Sequence, residues 1–198
     1  YNLPAPRPDE LGRAVAAAEK FLAAHPADRR AVRAAYLIPE AYAQNGRSDD
    51  AVAAYEKFIA GDGFELPPSD AATETDPELG KSPAELQAQW EKEALFKIGN
   101  IQFQQKKYLA GIKTWEKYVA RFPNGPHWAA SQNSIINAEF QQGLAALADD
   151  DYDRARALFN DFLKAHPLDA RSRQILFTFG QIHYAHAQEL EEDKGNPD

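Results

Sequence analysis

The chain predicts an all-α fold in which antiparallel helical hairpins stack into a solenoid, and three observations carry that reading. The stretch from Glu93 to Pro126, EALFKIGNIQFQQKKYLAGIKTWEKYVARFPNGP, holds two amphipathic helical patterns joined by a tight polar turn at Gln105 to Lys107. Small residues at Gly99, Ala110 and Gly111 lie where two helices must approach closely. No window alternates apolar and polar residues as a half-buried strand does. A hairpin of this size cannot bury its apolar face alone, so it requires stacked neighbours on both sides.

Taken in order, Tyr1 to Pro8 carries three prolines at alternate positions, which favours an extended lead, and Asp9 fits as an N-cap. From Glu10 to Ala24 the residues Leu11, Val15, Ala18, Phe21 and Leu22 recur at helical spacing, and His25-Pro26 ends the helix. A second helix is expected from Asp28 to Asn45, with a kink at Pro39 and a stop at Asn45-Gly46. A third runs from Asp49 to Ala60 through Ala51, Val52, Tyr55, Phe58 and Ile59.

Residues 61–82 break the pattern with glycines, prolines and dispersed acids, and read as a loop insertion longer than ordinary connections. Ser82-Pro83-Ala84-Glu85 then forms a capping box with proline at the first helical position, and that helix is expected to run through Trp90 into the hairpin. A long helix follows from His127 to Ala148 and another from Arg154 to Ala165. The last starts after Pro167-Leu168-Asp169 and is expected to fade in the acidic tail 189–198. The domain reading is a lead over 1–8 and one solenoid over 9–198.

The formal net charge is -8, and residues 61–90 (-6) with 189–198 (-4) hold more than all of it. No basic stripe remains for phosphate contacts, so nucleic acid is not an expected partner. No segment reaches the roughly 18 apolar residues of a membrane span, so membrane insertion is not expected. The absence of Cys removes disulfides, thiolate metal sites and cysteine nucleophiles. The chain also lacks Met and opens YNLPAPRP, which reads as an excerpt or processed product whose signal peptide is gone.

The hairpin at 93–126 resembles the tetratricopeptide repeat (TPR) family: Leu95, Ile98, Gly99, Tyr108, Gly111, Trp115, Tyr118 and Pro123 match its register, with Phe103 one place beyond the usual Tyr. The register recurs in Ile38, Tyr42, Gly46, Ala51, Tyr55 and Phe58, with Pro39 at the helical glycine position. It recurs again in Gly143, Tyr152, Ala155, Phe159, Phe162 and Pro167. Ala14, Phe21 and Pro26 fit a second helix alone, and Leu176, Phe179 and Gly180 a first helix alone. The resemblance therefore implies a right-handed superhelix of three full repeats flanked by half-repeats. FLAAHPADRR (21–30) and FLKAHPLDAR (162–171) are near copies, similar to repeats of bacterial envelope TPR proteins such as outer-membrane assembly lipoproteins. That likeness implies a periplasmic or otherwise exported protein, with a cytoplasmic location left open.

TPR stacks bind along the groove lined by their first helices. By register the resemblance assigns Arg33, Tyr36, Glu40 and Gln44 to that groove in one repeat, Phe96, Asn100, Phe103 and Gln104 in the next, and Phe177, Gln181 and Tyr184 in the last. Aromatics beside amides suit a peptide or protein partner; the competing reading is that Phe96, Phe103 and Tyr184 fill helix contacts. A clamp for a C-terminal carboxylate would need Lys where Phe96 stands, and only Asn100 matches that pattern.

Other clusters carry less. His183, His186 and Glu189 share a helical face, but the resemblance puts His183 at the family's tyrosine packing position and the group reads as a polar helix end, not a metal site. Asp149, Asp150, Asp151 and Asp153 lack the glycine and distal glutamate of a calcium loop and read as a helix cap. No nucleophile triad, phosphate loop or HExxH helix occurs, so neither catalysis nor a cofactor is expected. The expected function is a non-catalytic protein-binding scaffold, with the insertion at 61–82 as a second contact or a cover over the groove. The alternatives are a structural spacer or N-terminal module of a larger exported multidomain protein, its repeats holding other domains apart or self-associating, and, more remotely, an enzyme with an acidic site.

Overall fold

A computed structural model describes residues 8–66, 75–76 and 78–195; the side chains of Pro8, Ile182, His183 and residues 185–195 are outside that description. The expectations for 1–7, 67–74, Pro77 and 196–198, and for the His183, His186 and Glu189 side chains, thus fall outside it. Among the described residues there are eight helices and no strand: α1 (Pro8–Ala24), α2 (Ala31–Gln44), α3 (Ser48–Ala60), α4 (Pro83–Gln104), α5 (Tyr108–Arg121), α6 (Trp128–Ala148), α7 (Tyr152–Ala165) and α8 (Ala170–Gly195). Each helix packs on the next in chain order, as a solenoid of hairpins requires. The hairpins are α2/α3, α4/α5 and α6/α7, with α1 and α8 as single flanking helices. No helix among the described residues is long and apolar enough to cross a membrane.

Helix ends follow local chemistry. At α4 the Ser82 N–H donates to Glu85 Oε2 at 2.8 Å while the Glu85 N–H donates to Ser82 Oγ at 3.3 Å, closing the capping box. Asp151 caps α7 by accepting the Arg154 N–H at 3.1 Å, so α7 starts two residues earlier than expected. Asp28 does not open α2: its carboxylate takes the Arg30 N–H at 2.8 Å and forms a turn, and the helix begins at Ala31. Asp9 is in the first turn of α1 instead of capping it. Pro39 is fully buried and α2 runs unbroken across it. α8 continues through Glu189 to Gly195 where fading was expected.

Packing repeats with the hairpins. Second helices bury two rings three residues apart, hence on one face: Tyr55 and Phe58, Trp115 and Tyr118, Phe159 and Phe162, none more than 2% exposed. Each such ring contributes roughly 1.5–3 kcal/mol. Opposite them the first helix must be thin. A Cβ at Gly99 would lie 2.4 Å from Trp115 Nε1, and one at Gly143 2.4 Å from Phe159 Cε1. A Cβ at Gly111 would meet the same crossing from the other side, 3.2 Å from the Gly99 carbonyl oxygen.

Candidate peptide-binding face

In such a stack the first helices α2, α4, α6 and α8 line one face of the superhelix and the second helices the other. Register alone places Arg33, Tyr36, Glu40 and Gln44 on α2, and the fold gives them different surroundings. Tyr36 presents no free ring: it is 9% exposed, stacked on Trp90 of α4 (centroids 4.9 Å apart, planes 8° apart) and edge-on to Phe58 at 5.1 Å. Burial, with Glu40 nearby, drives its hydroxyl pKa far up, so it stays neutral.

Glu40 joins three helices. It accepts hydrogen bonds from the Tyr55 hydroxyl of α3 and from Lys97 Nζ of α4 at 2.5 Å, and Lys97 lies 5.6 Å from the Tyr36 ring centroid. Burial pushes the Glu40 carboxyl up, but the two hydrogen bonds and the Lys97 charge together outweigh it and hold the group below its ordinary value. Arg33 is equally engaged, with Nη1 3.3 Å from Asp76 Oδ1 and 2.8 Å from Glu78 Oε2. Asp76 is fully buried and accepts the Glu78 and Leu79 N–H groups at 2.9 and 3.0 Å. The acidic insertion thus returns to the first helix of the first hairpin.

On α4, Phe96 is half-buried with its ring stacked on His127 (4.4 Å, 4°), and His127 Nε2 sits 2.8 Å from Glu93 Oε1. Phe103 is half-buried, edge-on to Tyr108 at 5.4 Å, inside the α4/α5 hairpin. Asn100 is half-buried, Gln44 and Gln104 are exposed, and among the described residues none of their amides has a hydrogen-bond partner in the protein. Phe177 and Tyr184 are 68% and 66% exposed on α8, with Gln181 exposed between them.

The contacts draw α2, α4 and the start of α6 into one strip, through Tyr36–Trp90, Glu40–Lys97 and Phe96–His127. Phe177, Gln181 and Tyr184 stand apart from it, two repeats further along. Trp90, Glu93, Lys97 and His127 are parts of the strip that register reasoning passed over. Glu93 had a signal: Glu93, Phe96 and Asn100 repeat the spacing of Arg33, Tyr36 and Glu40. Among the described residues both cations named in the strip, Arg33 and Lys97, are paired with carboxylates. Unpaired amides and half-buried rings remain to meet backbone and apolar groups. Among the described residues no three His, Asp or Glu side chains form a metal-ligating group.

A family described as outer membrane lipoprotein, YfiO, matches residues 88–197, more than half of the chain. A family described as tetratricopeptide repeat matches residues 9–70. No curated protein matches the chain. The register, the all-helical stack and these two matches agree: the chain belongs to the YfiO family of outer membrane lipoproteins and is built from tetratricopeptide repeats.

Proposed function

We propose that this protein is a non-catalytic scaffold that holds a protein or peptide partner along the face formed by α2, α4, α6 and α8, within a bacterial cell-envelope assembly. The observation that carries this reading is the set of amides at Gln44, Asn100 and Gln104, unpaired among the described residues, flanking a strip whose charges are already satisfied. Such amides suit backbone hydrogen bonding to an extended or helical peptide, and Phe96 and Phe103 offer apolar edges beside them. The family's description supports an envelope location and an exported chain. The insertion serves as a wall of the groove, because Asp76 and Glu78 hold Arg33 from outside the helical stack.

Site-specific photocrosslinking in the native host tests this. A benzophenone amino acid at Gln104 or Gln44 is expected to yield a discrete protein adduct, and the same group at the exposed outer-helix positions Glu116 or Arg156 is expected to yield none. Adducts formed only from Glu116 and Arg156 would overturn the assignment.

A further inference from the structure

We infer that the opposite face carries a second docking site: a trough between α1 and α3 that receives a basic amphipathic helix of a protein partner. Both helices pack on α2, and between them lies a cleft of about 670 Å³, within the usual range of ligand pockets. Its floor is apolar, made of Leu22, Ala35, Ile38, Tyr42, Phe58 and Phe64. The walls are low because Ala23, Ala53 and Ala54 stand where larger side chains would interlock the two helices. Small walls over an apolar floor let another backbone approach closely.

One end of the trough is closed by the first residues of the insertion. Gly61 (φ 77°) and Gly63 (φ 91°) reverse the chain in the left-handed region, which glycine adopts without strain. Phe64 then turns inward, 7% exposed and 5.6 Å from the Phe58 ring, and the Glu65 N–H donates to the Pro26 carbonyl at 2.8 Å. At the other end, beside Tyr42 and Asp50, the Arg47 guanidinium lies 4.6 Å from the Tyr42 ring centroid and pairs with Asp50. Along α2 the floor from Ala35 to Tyr42 spans roughly 10 Å at 1.5 Å per residue, so it accommodates about two turns of a helix laid along it.

The rim decides the occupant's charge. Glu19, Asp50, Asp62 and Glu65 border the trough against Lys57, with Arg47 beside Tyr42 and Asp50. Asp50 is paired with Arg47 at 2.8 Å, whereas Glu19, Asp62 and Glu65 have no ion-pair partner among the described residues. An apolar floor with a rim of net acidic charge complements a helix with apolar anchors at i, i+3 or i+4, and i+7, flanked by Lys or Arg. A second copy of this chain fits poorly, since at net charge -8 it would bring like charge to that rim.

The test is selection of phage-displayed helical 16-residue peptides on the full chain, followed by binding of the synthetic selected peptides. The selected peptides are expected to carry excess Lys and Arg beside Leu, Ile or Phe at helical spacing. Their affinity is expected to fall at least tenfold with Ala53→Trp, which fills the trough, and about tenfold with Glu19→Lys plus Asp62→Lys. Asn100→Ala plus Gln104→Ala on the other face should leave it unchanged. All these substitutions are at exposed or half-buried positions, and circular dichroism melting verifies each fold. Selection of peptides with no excess positive charge, affinity indifferent to both trough variants, or recovery of no binder would overturn the inference.

Discussion

Replacing glycine by alanine at Gly99 and at Gly12 makes one chemical change with opposite predicted signs. In a helix interior alanine is favoured over glycine by about 1 kcal/mol. At Gly12 in α1 an added methyl would have nothing within 4 Å of it, so Gly12→Ala should gain roughly 0.5–1 kcal/mol. At Gly99 the methyl would meet Nε1, Cε2 and Cδ1 of Trp115 at 2.4, 2.6 and 2.7 Å, about 1 Å inside ordinary contact. Trp115 is 2% exposed, so its ring has no free volume into which to retreat. Overpacking costs about 1–3 kcal/mol, and a three-atom clash with a rigid ring falls at the upper end. Subtracting the propensity gain leaves a net loss of about 2 kcal/mol, or about 4–8 °C in melting temperature for a chain of this size. Thermal unfolding followed by circular dichroism measures both. A Gly99→Ala protein melting at or above the parent would refute the reading of Gly99 as a packing notch.

Tyr55→Phe should cost about 1–2 kcal/mol in urea unfolding, because half-buried Glu40 loses a hydroxyl donor without losing its charge; an unchanged midpoint contradicts this. Acid should destabilise the fold with a defined sign. Hydrogen bonds from the Arg30 side chain hold Asp28 at about 2, well below its ordinary 3.8; those from Arg171 lower Asp169, and Glu40 is lowered by Lys97 and Tyr55 against burial. Groups depressed in the folded state stabilise it fully above their unfolded values near 4, and that stability is lost as pH falls below about 4 toward 2. Melting temperature should therefore be flat from about pH 5 to 7 and fall below about 4, with a shallower acid limb in Asp28→Asn; a fall confined to about pH 5–7 would contradict the assignment. A double-mutant cycle on Arg33→Ala and Asp76→Ala should show coupling of about 1 kcal/mol, a value limited by solvent around the Arg33 side chain, which is 36% exposed. Additivity within about 0.3 kcal/mol would detach the insertion from α2 energetically.

The helices were legible because each carries its apolar face at helical spacing and because turn residues punctuate them, as at Asn45-Gly46 and Ser82-Pro83. The thin positions Gly99 and Gly143 were legible from register, since stacking rings recur at a fixed offset. The starts of α2 and α7 were displaced by which aspartate capped and which made a turn, and composition does not distinguish these two uses of one side chain. At the candidate face, register named positions on the first helices but not their neighbours. Arg33 meets Asp76 across 43 residues and Glu40 meets Lys97 across 57, pairings set by how the insertion folds back and how far α4 extends. The same extension brings Trp90 over Tyr36 and turns a groove aromatic into core.

The central claim, that the first-helix face holds a partner, is tested most directly by the affinity of the crosslinked partner for the parent chain and for Asn100→Ala plus Gln104→Ala. These amides have no partner among the described residues, so their removal spares the fold in a way that truncating packed Phe96 does not. Binding weakened at least tenfold, with melting unchanged, is the predicted result. Unchanged affinity in that double variant, with the helical signal intact, would contradict the account.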